Sequence, residues 1–148
     1  HWANFDSALD SGSNNYRTWY VSHFHGLYGD ANKQYVRDVL AYVKTKETDV
    51  WVGTFTEVAK YGQEYATAGL SNVQVNAANV QFELKDEMND VWFNEPLTVK
   101  LRLPDGWNGS VAATQDGAAI PARVVQHGGQ AYALVDAVPD QGLVVVGF

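Results

Sequence analysis

The hydrophobic period of this 148-residue chain changes near Val73, and this change constrains the fold more than any other feature. Before it, the clearest apolar repeat has helical spacing; after it, apolar and polar residues alternate, as in Val80, Phe82 and Leu84. A period of 3.6 residues predicts amphipathic helices, and a period of 2 predicts half-buried strands. The sequence therefore predicts two parts, residues 1–72 and residues 73–148.

The first part is predicted to hold two strand–helix units. Apolar runs end near His25 and Thr54, and each is followed by a helical pattern, the second opening on a capping box, Thr54-x-x-Glu57. We expect Glu57 to be structural there. Alternating strands and helices specify parallel strands with right-handed crossovers. Two strands cannot complete such a sheet, so we expect further strands upstream of His1 or on another polypeptide.

The second part is predicted to be a small antiparallel β-sandwich. Its alternating segments are short and are separated by turn signals such as Pro104-Asp-Gly106 and His127-Gly-Gly129. Six or seven such strands are typical of a sandwich. The expected fold class is therefore α+β, with a partial (β/α) barrel segment followed by the sandwich.

Two histidines, His23 and His25, fall at the end of the first predicted strand. Residues i and i+2 of a strand share a face, so both imidazoles would point the same way, towards the loop that leads into the first helix. Histidines at strand ends are also often hydrogen-bonded structural residues. The pair alone is not a metal site, because three or more ligands are usual and no Cys, Asp or Glu is close enough in sequence to complete one.

Trp92 and Trp107 both lie beside turn-like segments of the second part. An indole at such a position can stack on the face of a sugar ring, and both residues are therefore candidate substrate-binding residues. Core packing is the alternative, and we favour it for each, because tryptophan is mostly buried on average.

Composition excludes several classes of function. The formal net charge is -7 and the basic residues do not cluster in sequence, which argues against a nucleic-acid partner. The chain has no cysteine, which excludes disulfides and thiolate chemistry. No apolar run approaches the roughly 20 residues of a membrane-spanning helix, so no membrane partner is expected.

Three segments of the chain resemble the carboxyl-terminal part of the polysaccharide deacetylases, the NodB-homology or family 4 carbohydrate esterases. They are Phe24-His-Gly-Leu-Tyr-Gly29, residues 35–43, and Asp49-Val-Trp-Val-Gly-Thr-Phe-Thr-Glu-Val-Ala-Lys-Tyr61. The segment Leu97-Thr-Val-Lys-Leu-Arg-Leu-Pro-Asp-Gly106 is similar to a β-rich extension carried by some bacterial members. The resemblance implies a deformed (β/α) barrel enzyme that uses a divalent metal such as zinc to remove acetyl groups from a polysaccharide or oligosaccharide.

The resemblance also implies a role for one histidine. In the family, a late histidine in a Leu-x-His pattern protonates the leaving group, and His25 is the match; in the other register, His23 would be the acid. His23 itself replaces the leucine of that pattern. The family's catalytic Asp, metal-binding His-x-x-x-His and Arg motifs have no counterpart between His1 and Phe148, so the metal ligands would lie outside this chain.

The predicted function is thus part of a secreted or periplasmic metal-dependent polysaccharide deacetylase. The chain alone is expected to be inactive and to pack against a missing N-terminal part or another chain. Two alternatives stay open. One is a non-catalytic carbohydrate-binding or interaction module, in which the sandwich holds a glycan. The other is an unrelated hydrolase assembled from several chains, in which the histidines bind metal.

Overall fold

A computed structural model describes residues 2–23, 25–47 and 49–148, with side chains described from Asn4 onward. Contacts divide the chain into two compact units, an N-terminal unit, His1–Phe55, and a C-terminal unit, Thr56–Phe148. The predicted boundary between residues 72 and 73 stays a prediction. Phe24, the first residue of one deacetylase-like segment, lies outside the described residues.

The N-terminal unit contains two helices, α1 (Trp2–Leu9) and α2 (Gly29–Lys44). Phe5 is buried, and its ring meets the rings of Tyr20 and Tyr42 edge to face, with centroids 5.7 and 6.0 Å apart. The Tyr42 hydroxyl donates a 2.6 Å hydrogen bond to Asp6, and this bond raises the pKa of Tyr42. The rings of Trp19 and Phe55 also pack in this unit, with centroids 4.8 Å apart.

Helix α2 matches the predicted amphipathic pattern, but none of its residues is buried. Leu40, on the predicted apolar stripe, is exposed, and Val36, Val39 and Val43 are half-buried. The helical period is therefore sufficient to predict this helix, although the stripe is only partly covered within the unit.

The partial (β/α) barrel predicted for the first part is wrong. Residues 18–23 and 49–54 form no strand, and every strand pair in the described residues is antiparallel. A short apolar segment becomes a parallel strand only when neighbouring strands satisfy its backbone groups on both sides. The described residues supply no such neighbours. Both segments are therefore irregular.

The C-terminal unit begins in helix α3 (Phe55–Thr67), which starts at the predicted capping box, and continues as eight strands. The strands are β1 (Gly69–Val75), β2 (Asn79–Lys85), β3 (Leu97–Arg102), β4 (Ala112–Gln115), β5 (Ala118–Ile120), β6 (Ala122–His127), β7 (Gln130–Ala137) and β8 (Leu143–Gly147). They form a five-stranded sheet, β1-β2-β8-β4-β5, and a three-stranded sheet, β3-β7-β6.

The two sheets share one hydrophobic core, so the predicted sandwich fits this part of the chain. Alternate residues point inward, most regularly in β7, and Phe82, Val135 and Val144 are fully buried at its centre. The outward positions between them are polar or half-buried, as period 2 requires. The inward faces of β2, β7 and β8 can therefore be predicted from the sequence.

Two hairpin turns use residues with positive φ. Asp116 and Gly117, at 47° and 81°, join β4 to β5, and Gly128 and Gly129, at 58° and 79°, join β6 to β7. Two consecutive left-handed residues give the turn whose twist matches that of the flanking strands. The predicted hairpin at His127-Gly-Gly129 is thus present.

Candidate functional site

The loop between β2 and β3, residues 86–96, has its backbone fixed by local hydrogen bonds. The backbone N–H of Met88 donates to Asp86 Oδ1 at 2.8 Å, and that of Val91 donates to Asn89 Oδ1 at 3.0 Å. The N–H of Trp92 donates to the carbonyl of Asn89 at 2.9 Å. Asp and Asn side chains commonly satisfy the backbone two residues further on, which orders tight turns.

Helix α3 anchors this loop near both of its ends. Glu64 is fully buried, and both of its carboxylate oxygens accept the backbone N–H of Glu95, at 3.0 and 3.1 Å. At the other end, the N–H of Glu87 donates to Thr67 Oγ1 at 3.4 Å. A buried carboxylate needs such donors, since desolvation of its charge is costly. The loop is thus held to the helix as a built structure.

The environment of Glu64 raises the pKa of its carboxyl group. Desolvation by burial is the main cause, and the negative charges of Asp86 and Glu95 act in the same direction. The hydrogen bond from Glu95 and the charge of Lys60 oppose it. The carboxyl group that anchors the loop is therefore harder to ionise than a carboxyl group in water.

The loop presents an indole to solvent. Trp92 is 66% exposed and its neighbour Val91 is 80% exposed. An exposed, flat indole on an ordered loop can stack on the apolar face of a sugar ring and lose little conformational freedom in doing so. Trp92 therefore lies where a substrate-binding residue can reach a ligand.

Trp107 has a different environment. It is half-buried against the sandwich core, and its ring meets Phe148 edge to face at 5.6 Å. A Cβ atom added at Gly109 would lie 2.7 Å from the Trp107 ring, so the ring covers that glycine closely. The indole N–H is buried without a hydrogen-bond partner. These contacts are those of a packing residue.

Three carboxylates meet at the same end of the sandwich. One oxygen each from Asp86, Asp90 and Asp140 lies within 4.8 Å of the others. Asp140 has a φ of 58° in the turn between β7 and β8; its N–H donates to the carbonyl of Leu84, and its Oδ2 accepts the N–H of Asp86. The turn is thereby fixed to β2, and its acidic side chain is fixed beside the loop.

An open depression of about 260 Å³ lies next to this cluster. An ion pair between Glu83 and Lys85, 2.9 Å long, lies at its wall, and the Lys85 ammonium lowers the pKa of Glu83 by hydrogen bonding to it. The depression is polar and shallow, unlike a deep apolar ligand pocket. Its lining residues are Glu83, Leu84, Lys85, Asp140 and Gly142.

The acidic cluster does not fit the metal that the deacetylase resemblance implies. That metal is held by one Asp and two His, whereas this cluster contains only carboxylates and is the one group of three or more potential metal ligands among the described residues. Oxygen-only ligands suit hard cations such as Ca²⁺ or Mg²⁺ and not a histidine-bound zinc. The ligands of that metal were predicted to lie outside this chain, and the zinc-type cofactor stays a prediction.

His23 and His25 lie in the irregular segment before α2. Both are exposed, and their ring centroids are 5.9 Å apart, with the planes at 80°. The strand that was expected to aim both rings in one direction is absent. Their proposed catalytic roles stay predictions.

The sequence pattern does not identify Glu64 or the acidic cluster. Asp86 and Asp140 are 54 positions apart, and only the pairing of β2 with β8 brings them together. A partial signal exists for Glu64, because it lies seven residues after Glu57 in the same predicted helix. That spacing places both on one helix face, but it does not show that Glu64 is buried.

Over 108 residues, which are 73% of this chain, the sequence is 36% identical to a gellan lyase from Bacillus sp.. The chain spans only about 4% of the length of that curated relative. No family model matches the chain, and no solved structure matches it. The comparison therefore shows similarity to a small part of a much longer polypeptide.

Within residues 2–23, 25–47 and 49–148, no helix is long and apolar enough to cross a membrane.

Proposed function

We propose that this chain is a carbohydrate-contacting, non-catalytic module of a polysaccharide-degrading protein. The similarity to a gellan lyase supports the substrate class, because gellan is a polysaccharide. The single structural observation that carries the proposal is the exposed indole of Trp92, held out on a loop that Glu64 anchors. Such a protein would act outside the cytoplasm, where polymeric glycans are found.

The module would bind glycan by stacking. A sugar ring presents C–H groups on one face, and an indole provides a matching flat apolar surface with a single N–H at its edge. Preorganisation matters here, since a loop already ordered by its own hydrogen bonds loses less entropy when it binds. The Asn89 and Glu64 hydrogen bonds supply that order.

Native affinity electrophoresis tests this proposal. The 148-residue protein is run through gels containing gellan, xylan or hydroxyethyl cellulose, beside Trp92→Ala and Tyr65→Ala. Tyr65 is the matched control, because it is 69% exposed in α3, outside the loop. We expect at least one glycan to retard the wild type and Tyr65→Ala but not Trp92→Ala. No retardation by any of the three glycans, or equal retardation of both variants, would overturn the proposal.

The deacetylase activity implied by the sequence resemblance stays a prediction about a longer parent protein. The exposed pair His23 and His25 is consistent with solvent-accessible chemistry, but the barrel that would orient it is absent from the described residues. In such a parent, His25→Ala should lower acetate release and leave metal affinity unchanged. Loss of metal in that variant would assign His25 to the metal site instead.

A further inference from the structure

The outer face of the three-stranded sheet gathers basic side chains around one aromatic ring. In β7, residues 131, 133, 135 and 137 are buried, so Tyr132 and Leu134 point outward. Cross-strand partners share a face, and the register pairs Arg102 with Tyr132 and both Lys100 and Arg123 with Leu134. We call Lys100, Arg102, Arg123 and Tyr132 the basic face.

This concentration of positive charge is unusual for the unit. Residues 56–148 contain five Lys and Arg residues, and three of them lie on the basic face. The same segment contains eleven Asp and Glu residues, several of which gather at the end of the sandwich near Asp86 and Asp140. Most of the basic groups of the unit thus lie on one surface, where Asp105 and Asp136 pair with the two arginines, and an acidic cluster lies at one end of the sandwich.

Tyr132 lies at the centre of the basic face and is already in contact with a cation. The Lys100 ammonium lies 4.0 Å from the centroid of its ring, a cation–π distance, and the ring of His127 is 6.5 Å away. The tyrosine ring therefore holds the lysine charge above the sheet surface. The same ring is a flat apolar surface on which a sugar can pack.

Both arginines are positioned by carboxylates that leave donors free. Arg123 Nη1 contacts Asp136 at 3.3 Å, and Asp136 also accepts the Thr98 hydroxyl at 2.6 Å; Arg102 Nη2 contacts Asp105 at 2.7 Å. Each of these bonds uses one of the five N–H donors of a guanidinium. The remaining donors can bind a further carboxylate, and exposed ion pairs of this kind are weakly held.

We propose that the basic face binds the carboxylate groups of an acidic polysaccharide. Lys100 and Arg123 lie in one row on either side of Leu134 in the central strand, so their Cα atoms are about 10 Å apart if each strand spacing is near 4.8 Å. Flexible side chains that start at that separation can place an ammonium and a guanidinium against carboxylates on neighbouring sugar units, with the Tyr132 ring packing beside Lys100. The partner class rests on the proposed function, whereas the surface is separate from Trp92.

A polysaccharide fits this face better than a nucleic acid does. Duplex and single-stranded nucleic acids carry a phosphate on every nucleotide and are bound by extended basic surfaces. Here the positive surface is confined to one small sheet on a chain of net charge -7. A glycan with spaced carboxylates can contact the three cations and avoid the acidic end of the sandwich.

The experiment compares polygalacturonate with its methyl ester, which has the same backbone without the charges. Isothermal titration calorimetry measures the Kd of each for the wild type, for Lys100→Gln/Arg123→Gln, and for Lys60→Gln/Lys85→Gln. The last variant removes the same charge away from the basic face. Circular dichroism checks that all three proteins are folded.

We expect the wild type to prefer polygalacturonate to its ester, and the basic-face variant to bind polygalacturonate at least about tenfold more weakly than the control variant. Equal Kd values for the two variants, or for polygalacturonate and its ester, would overturn the inference. So would equally tight binding of single-stranded DNA. If the further inference fails but neutral glycans still retard the protein in a Trp92-dependent way, the proposed function is retained. If no glycan binds, both proposals are wrong.

Discussion

Glu64 Oε1 and Oε2 both accept the backbone N–H of Glu95, so one buried carboxylate in α3 fixes the loop that carries Trp92. Glu64 and Glu95 are 31 positions apart in sequence. Few side chains in the C-terminal unit join two elements in this way and are also fully buried. The relationship makes Glu64 the residue through which loop order and stability can be tested together.

Replacement of Glu64 by Ala should destabilise the protein by about 2 kcal/mol, because it leaves the Glu95 N–H buried without an acceptor and opens a cavity. Urea unfolding followed by circular dichroism measures this loss. Hydrogen exchange should accelerate at the amide of Glu95 more than in β7. Gln63→Ala is the control, since Gln63 is exposed on the same helix and bonds only to a carbonyl within it. Uniform acceleration across the sandwich would contradict a local anchoring role.

The pH dependence of stability should carry the sign set by Glu64. Its pKa is raised in the folded state, mainly by burial, from an ordinary value of 4.5, so the folded state keeps the proton to higher pH than the unfolded state does. The stability contributed by this group is therefore present below pH 4.5 and is lost as the pH rises through the raised pKa. Chemical denaturation across this range should show that the stability of the wild type relative to Glu64→Gln falls as the pH rises through the raised pKa.

Glu83 provides a contrast of opposite sign. Its pKa is lowered, first by the hydrogen bond from Lys85, so its contribution is present at neutral pH and is lost as the pH falls through the lowered value. The difference in unfolding free energy between wild type and Glu83→Gln should therefore be largest at neutral pH and should shrink as the pH falls through the lowered pKa. Chemical denaturation at both pH values measures it. A Glu64→Gln profile that behaves like that of Glu83→Gln would mean that burial does not dominate at Glu64.

Two glycine substitutions should have opposite effects on stability. At Gly109, an added Cβ would lie 2.7 Å from the Trp107 ring, so Gly109→Ala should cost about 1–3 kcal/mol by forcing the ring to move. At Gly62, within α3, an added Cβ would have no atom within 4 Å outside its chain neighbours and the backbone of its own helix. Gly62→Ala should therefore stabilise the protein by about 0.5–1 kcal/mol through helix propensity. Thermal unfolding midpoints measure both. A neutral Gly109→Ala would show that the Trp107 ring moves freely.

Replacement of the two candidate tryptophans should change the free energy of unfolding by different amounts. Trp92→Ala should change the free energy of unfolding by no more than about 0.5 kcal/mol, because the indole is exposed. Trp107→Ala should cost about 3 kcal/mol, because its ring packs on Phe148 and the core. Urea titration of both variants measures the difference. Comparable losses would mean that Trp92 also has a packing role.

The sandwich could be predicted from sequence because its evidence is local. In β7, alternate small and branched apolar residues from Ala131 to Ala137 specify the inward face, and the Gly128-Gly129 turn specifies the preceding hairpin. Helix α2 was predictable for the same reason, since its period is contained within its own residues. Each of these elements needs no distant partner to reveal its type.

The barrel could not be predicted reliably because strand formation depends on a partner. Residues 18–23 and 49–54 have the composition of strands, yet composition does not supply the neighbouring strand whose backbone groups must pair. The basic face could not be predicted from the sequence for a related reason. Lys100 and Arg102 alternate visibly in sequence, but only the register of β3, β7 and β6 brings Arg123 and Tyr132 beside them.

The pairing of β8 between β2 and β4 has a consequence for how the protein is made. On the ribosome, β2 and β4 emerge first, yet the strand that must lie between them, Leu143–Gly147, is translated after all the others. The five-stranded sheet therefore cannot close until Leu143–Gly147 has been translated, and its two halves stay unjoined until then. A premature stop codon before Leu143 would release a polypeptide with unpaired strand edges and a core that lacks Val144 and Val146, a substrate for quality-control proteases.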